Sequence, residues 1–169
     1  MAESTVVKVR SDGEVSFSDG TGSPLTYTVS YEDGNVSFAR EKDERIVIRD
    51  RGNIVGSRKG DTPVLTVTFS VHMRSFTTAA GTDLTICDVM DQTGNVATIP
   101  WVKASAAHEE WNLNLNFKVE NTDHGGGADY VVTFAHCIFT WDFSEGDPDT
   151  INVTAECMGG YSATGPTQD

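Results

Sequence analysis

The chain has 169 residues, 38% hydrophobic and 22% charged, and a formal net charge of −13 at neutral pH. The length suits one domain (residues 1–169) with a sizeable core. The composition excludes a disordered chain, and no apolar run reaches the roughly 18 residues of a membrane-spanning helix. So acidic a chain is not built to grip nucleic-acid phosphates, although that does not stop a polyanion from sliding past it.

The start, Met1 to Thr5, lacks the basic and apolar regions of a signal peptide, so maturation in the cytoplasm is expected. Asp19 to Ser23 reads as a linker. Leu25, Tyr27, Val29 and Tyr31 then alternate with Thr26, Thr28, Ser30 and Glu32, the period of a half-buried strand. Asp33-Gly34 predicts a tight turn into a short strand, Asn35 to Ala39.

The next segment, 40–62, breaks the pattern. Of the chain's 12 Lys and Arg, Arg40, Lys42, Arg45, Arg49, Arg51, Arg58 and Lys59 all lie here, against Glu41, Asp43, Glu44, Asp50 and Asp61. A basic-leaning segment on an acidic body can dock onto another copy of that body. Its apolar centre, Ile46-Val47-Ile48, is too short to bury itself. Two readings fit: a surface hairpin closed on its own chain, or an extended arm whose tip finds a neighbouring subunit. A twenty-residue excursion in a compact domain is usually functional or disordered, and the hydrophobic centre favours the arm.

A long strand is predicted over Val64 to Phe76, with Leu65, Val67, Phe69, Val71 and Met73 dry and Thr66, Thr68, Ser70, His72 and Arg74 wet. One short amphipathic helix follows, capped by Thr82 with Asp83 in its first turn and ended by Gly94. Ser105 to Glu110 allows a second helical turn. Trp111 to Asn121 returns to alternation, Leu113, Leu115, Phe117 and Val119 against Asn112, Asn114, Asn116 and Lys118. After a linker-like stretch over Asp123 to Gly127 comes Tyr130 to Phe143. There the apolar parity shifts from Tyr130, Val132 and Phe134 to Phe139, Trp141 and Phe143, which places a bulge near Ala135-His136. Thr150 to Cys157 is the last predicted strand. The tail 159–169 is small and polar, and is expected to be mobile unless a neighbour pins it.

Cys87, Cys137 and Cys157 are odd in number and widely spaced, so they read as buried thiols. With His72, His108, His124 and His136 they give no metal-ligand spacing, and no cofactor is expected. No P-loop, HExxH or GxSxG pattern is present, so no enzyme activity is expected. Paired carboxylates such as Glu109-Glu110, or Glu145 with Asp147, are weak candidates for glycoside hydrolysis in so acidic a chain. Trp101, Trp111 and Trp141 allow a β-sandwich carbohydrate-binding module, although core packing explains them more cheaply. Asn35-Val36-Ser37 and Asn152-Val153-Thr154 match glycosylation sequons by chance.

Five stretches together carry a resemblance. Gly34 to Phe38, Val47 to Gly52 and Arg58 to Val64 resemble the N-terminal half of bacteriophage tail tube proteins. Asp83 to Met90, with Gly94 and Trp101 following, is similar to that family's small helix and trailing tryptophan, and Trp141 to Ile151 to its closing hairpin. The Gly125–Gly127 loop and the Asn-rich strand depart from it. The resemblance implies a mainly-β fold, an antiparallel sandwich or barrel-like subunit with one short helix and a long inter-subunit loop. It implies hexameric rings stacked into a tube, a DNA conduit in the virion tail assembled in the host cytoplasm. Partners would be further copies of the chain and other tail proteins such as terminator, baseplate or sheath. A tailocin or contractile secretion machine would need the same subunit. On this reading the contact residues are Arg40, Arg45, Ile46, Val47, Ile48, Arg49, Asp50, Arg51, Ile54, Arg58, Lys59 and Asp61, facing Glu145, Asp147 and Asp149 of a neighbour. Thr66, Thr68, Ser70, Asn112, Asn114 and Asn116 are candidates to line the lumen.

Overall fold

Alternating apolar and polar side chains suit antiparallel sheets with one dry face. They organise the structure, a computed structural model that describes residues 13–29, 35–39, 41–72, 84–97, 101–121 and 127–165. In chain order the strands are β1 (Gly13–Ser18), β2 (Thr26–Val29), β3 (Ser37–Ala39), β4 (Arg45–Asp50), β5 (Asn53–Lys59) and β6 (Leu65–Val71). Helix α1 (Ile86–Asp91) follows, then β7 (Leu113–Val119), β8 (Tyr130–Ser144), β9 (Thr150–Cys157) and β10 (Tyr161–Thr164). Every strand pairing is antiparallel, and the main order is β2-β1-β7-β8-β9-β6-β3 with β10 also on β8. Strands β4 and β5 form a separate two-stranded sheet.

Strand β8, 15 residues long, is the joint of the molecule. Its first half pairs with β7 and β10, its second half with β9. Leu115 lies opposite Phe134 but Leu113 opposite Cys137, so β8 takes one more residue than β7 at Ala135-His136. His136 absorbs it at φ 55°. This is the bulge that the parity shift in the sequence predicts, and it keeps Val132, Phe134 and Cys137 all facing inward. Along the other edge, β9 and β10 lie end to end and break opposite the bulge. There Met158 N donates to His136 O (3.1 Å) and Gly159 N to Ala135 O (2.9 Å). A Cβ on Gly159 would stand 2.5 Å from His136 Cδ2 and 2.7 Å from Ala135 Cβ, so the close approach requires glycine.

The bend splits one sheet into two layers. The first holds β2, β1, β7, the first half of β8 and β10; the second holds the rest of β8 with β9, β6 and β3. Phe17 and Phe69 are four strands apart along the hydrogen-bonded path, yet their rings lie 6.4 Å apart. Phe17 meets Phe139 edge-on at 5.0 Å, and Phe38 meets Phe134 at 5.0 Å. The layers therefore face each other as a sandwich. β2 and β3 do not pair, so no barrel closes. Val15, Leu115, Val67, Phe69, Ile151 and Val153 fill the space between, each such side chain contributing about 1.5–3 kcal/mol by burial.

Several predicted boundaries move. Helix α1 is capped by Thr85, not Thr82: Thr85 Oγ accepts from Asp88 N (3.1 Å) and donates to the Asp88 carboxylate (2.8 Å). Thr82 and Asp83 lie outside the described residues. The helix ends on Gln92 in the left-handed region, and Gly94 opens a 3-10 turn instead of closing the helix. Ser105 to Glu110 forms a hydrogen-bonded turn at His108, with no helix. Tyr31, the Asp33-Gly34 turn and the strand residues from Met73 to Phe76 are outside the described residues, as are 122–126 of the second linker. The tail is no loose end as far as Thr164, because β10 pairs its residues with Val131 to Phe134.

Asp19 to Ser23 is no linker either. Asp19 is 2% exposed, and its carboxylate accepts from Thr21 N (3.1 Å), Thr21 Oγ (2.8 Å), Leu25 N (3.1 Å) and Val102 N (3.3 Å). Burial on its own would raise its pKa, but the hydrogen bonds outweigh it and hold the group below its ordinary value. Gly20 makes this corner possible, since a Cβ there would stand 2.6 Å from Lys103 O.

Candidate assembly surfaces

The charged segment folds as a β-hairpin, so locally the surface-hairpin reading is the right one. Arg51 (φ 47°) and Gly52 (φ 87°) make a two-residue turn with both residues left-handed, the geometry that suits strand twist. The foot is tied: Glu44 N donates to Asp61 O (3.0 Å), Gly60 N to Glu44 O (2.6 Å), and Lys59 pairs with Asp43 at 3.0 Å. Beyond the foot the hairpin leaves the body's core behind. Ile46, Val47, Ile48, Ile54 and Val55 are 51%, 41%, 40%, 64% and 62% exposed. Such a cluster of bare aliphatic side chains is uncommon on the surface of a soluble monomer. Arg45, Arg49, Asp50, Arg51 and Arg58 are exposed around it, and among the described residues these four arginines have no carboxylate partner. Arg40 lies outside the described residues.

Glu145, Asp147 and Asp149 sit in the turn between β8 and β9. Asp149 Oδ1 accepts from Gly146 N (2.9 Å) and its carbonyl meets His72 Nδ1 at 2.8 Å, which sets the turn; Glu145 and Asp147 are exposed. The arm leads into β6 at Leu65, opposite Cys157, whereas the acidic turn leads into β9 next to Ile151, opposite Val71. The hairpin foot and the acidic turn therefore occupy opposite ends of the second layer, about 20 Å apart at ~3.3 Å per strand residue.

The lumen candidates divide. Thr66, Thr68 and Ser70 stand on the outward face of β6, as expected from parity. The register extends that face across the layer: Ser37, Thr68, Thr154 and Thr140 form one transverse row, and Ser70, Asn152 and Asp142 another. Asn35 Oδ1 accepts from Ser70 N (3.0 Å), and Asn152 Nδ2 donates to Asp142 (2.9 Å). These two rows are hydroxyls, amides and a carboxylate, a third sets Thr66 and Glu156 between Ala39 and Ile138, and among the described residues none of the three holds a Lys or Arg. The second layer ends on β3 at one side. At the other, the stretch of β8 beyond Cys137 has no further strand partner among the described residues.

The asparagines do not join that face. Asn112 is fully buried and holds the loop before β7, accepting from Ser105 N (3.0 Å) and donating to Glu110 O (3.0 Å), so it lines no lumen. Asn114 accepts from His136 N (3.2 Å) and stitches the bulge. Asn116 bridges Ser18 Oγ (3.1 Å) and Thr133 Oγ (2.8 Å) across the first layer. Their wet-looking parity reflects cross-strand hydrogen bonding, which parity alone does not distinguish from solvation.

The tryptophans form no open platform. Trp101 is buried, Trp111 Nε1 donates to Val89 O (2.9 Å) and Trp141 Nε1 to Asp91 (3.0 Å), both anchoring α1. Cys137 and Cys157 are buried, free and directly opposite each other, and Cys87 is half-buried. The contact with Cys157 and burial both push the Cys137 thiol up. Lys118 on β7 gathers Glu120 (2.9 Å), Glu14 (3.0 Å) and Asp129 (4.0 Å), and Glu120 and Glu14 raise its pKa. Among the described residues no group of three or more His, Cys, Asp or Glu is placed to hold a metal ion.

No protein-family model matches the chain, and no curated protein matches it. Solved structures do. One, the sheath/tube terminator of an extracellular contractile injection system, PVC, in the extended state, superposes with a TM-score of 0.60 at 13% identity, covering 97% of this chain and 100% of that one. A second, the PVC sheath-tube complex in the extended state, gives a TM-score of 0.55 at 12% identity over 90% and 87%. At such identity the likeness establishes a shared fold.

Proposed function

We propose that the chain is a structural subunit of the tube of a contractile injection-type machine, assembling as rings that stack head to tail. The observation that carries this reading is polar placement: an apolar, arginine-rich arm at one end of the second layer and an exposed acidic turn at the other. Each exposed ion pair contributes only ~0–1 kcal/mol, so the aliphatic tip must supply most of the affinity and the charges the register. The fold shared with the two injection-system structures supports the same reading. Ring closure would engage the free margins of the second layer, at β3 and at β8, because closure removes edges that otherwise aggregate. Six subunits per ring, and sheath, terminator or baseplate as further partners, complete it. The subunit performs no catalysis.

A phage tail tube conducting DNA is the second reading, favoured by the outward face of Thr66, Thr68, Ser70, Thr140 and Thr154. Hydroxyls with Asp142 and Glu156, and no Lys or Arg among the described residues of that face, offer phosphates few places to release counterions, so DNA would slide. Negative-stain microscopy of the purified protein tests the assembly: rings or hollow rods are expected, and deletion of Ile46 to Ile54 should leave folded monomers or single rings. A protein that stays at one-subunit mass at high concentration, or rods of normal length from the deletion variant, would overturn it.

A further inference from the structure

We propose that Cys137 and Cys157 are a latent cross-strand disulfide, an oxidation site that a peroxide closes into a staple at the bend between the two layers. The inference needs only the fold, and it stands whether or not subunits stack.

The strand register sets the two thiols together. Cys137 on β8 lies directly opposite Cys157 on β9, and both are free and buried. Directly opposed residues of antiparallel strands share a face, with Cα atoms about 4.5–5.5 Å apart, inside the roughly 4.4–6.8 Å that a disulfide spans. Each sulfur makes only a weak bond along its own strand, Cys137 Sγ to Phe134 O (3.4 Å) and Cys157 Sγ to Ala155 O (3.9 Å). Cys87 stands on α1, away from the strand ladders.

The rung they share runs through both layers. Leu113 of β7 lies opposite Cys137 and Leu65 of β6 opposite Cys157, so Leu113, Cys137, Cys157 and Leu65 form one transverse buried row. Cys137 follows the bulge at His136 and is the residue at which β8 passes from β7 to β9; Cys157 ends β9 just before β10 begins. A covalent bond there fixes the point where β8 changes partners.

Burial and the contact with Cys157 keep Cys137 protonated, so both thiols persist while the chain folds in a reducing solution. A closed site suits a small, neutral oxidant such as hydrogen peroxide. The Cys157 sulfur attacks one peroxide oxygen and the O–O bond breaks; a sulfenic acid forms, and the other oxygen leaves as water with the thiol proton. The Cys137 sulfur then attacks the Cys157 sulfur. The S–O bond breaks, the S–S bond forms, and a second water leaves with the Cys137 proton. The thiols together give up two electrons, which the peroxide accepts.

The test treats the full chain with hydrogen peroxide, quenches with catalase and alkylates the remaining thiols in denaturant. Digestion at the carboxylates from Asp142 to Asp149 separates the two cysteines. The chain should stay at one-subunit mass, and the Cys137 and Cys157 peptides should remain joined, lighter by two hydrogens, until dithiothreitol parts them. In urea, the unfolded-to-folded ratio of the oxidised protein should be roughly a hundredfold lower than that of the reduced one, the scale of closing a loop as long as the β8–β9 hairpin. Cys157→Ala should abolish that difference, and the oxidised-against-reduced comparison decides without it should the variant fold poorly. Thiols that are still alkylated separately, oxidised singly to sulfinic acid or linked between two chains overturn the site. A disulfide that leaves urea unfolding unchanged overturns the staple.

Discussion

The second layer of the sandwich and the β4–β5 arm are both antiparallel sheets of one chain, but they handle water in opposite ways. In the layer, β6 and β9 turn aliphatic side chains and Phe69 toward the first layer and hydroxyls, an amide and a carboxylate outward. The arm has no inward side. Its isoleucines and valines stand exposed on both faces, with arginines among them and a turn that holds a non-glycine residue at positive φ. One sheet is complete within the subunit. The other leaves its aliphatic side chains to water.

That contrast breaks most sharply in the core. Phe69→Ala, at a site 4% exposed, should cost about 3–5 kcal/mol in urea unfolding. Ile54→Ala, equally aliphatic, should stay within ~0.5 kcal/mol in the dispersed protein. A large loss from Ile54→Ala would mean that the arm already packs on its own body.

Acid should separate the regions next. Asp19 has a folded-state pKa below its ordinary 3.8, so its contribution is present above that value and is lost as pH falls through the folded one. Asp19→Ala leaves three backbone amides without their acceptor and should cost roughly 2–3 kcal/mol at pH 7. The variant's stability should also fall less steeply than the parent's below about pH 4, read by unfolding at a series of pH values. A parallel acid decline in both would remove Asp19 from the account.

A smaller effect is expected from Arg49→Glu with Arg58→Glu. Monomer stability should hold within ~0.5 kcal/mol while assembly slows and loses its sensitivity to salt, followed by light scattering. The least change belongs to Thr68→Val on the outward face, within ~0.5 kcal/mol by thermal unfolding. A marked loss there would show that the hydroxyl row is a structural network and no free surface.

Parity was enough to read most of the layer. Leu65 to Val71 and Ile151 to Cys157 alternate without exception, because one face of each is dry. Even the β8 bulge was legible, since an extra residue must shift the apolar parity from Phe134 to Phe139. The exposed tip followed from a charged segment with too small an apolar centre, whereas the turn at Arg51-Gly52 was not anticipated. What escaped were polar groups that work inside the fold. Asn112, Asn114 and Asn116 look solvated in any pattern of alternation, yet they fasten a loop, a bulge and a layer. Asp19 resembled a linker residue, although Asp-Gly-Thr is a turn-forming order whose carboxylate can reach the amide two residues on. The helix began three residues late because the sequence offers two threonines as caps, and only Thr85 has an aspartate three positions ahead to answer it.

The separation of the arm from the acidic turn has one more consequence. A contact between unlike poles is heterologous, so any column built through it has a direction. One terminus of the column would display unfilled carboxylates, which water tolerates. The other would display bare isoleucine and valine, which invite clumping. The two termini therefore call for different caps, and the greasy one has the greater need of a plug.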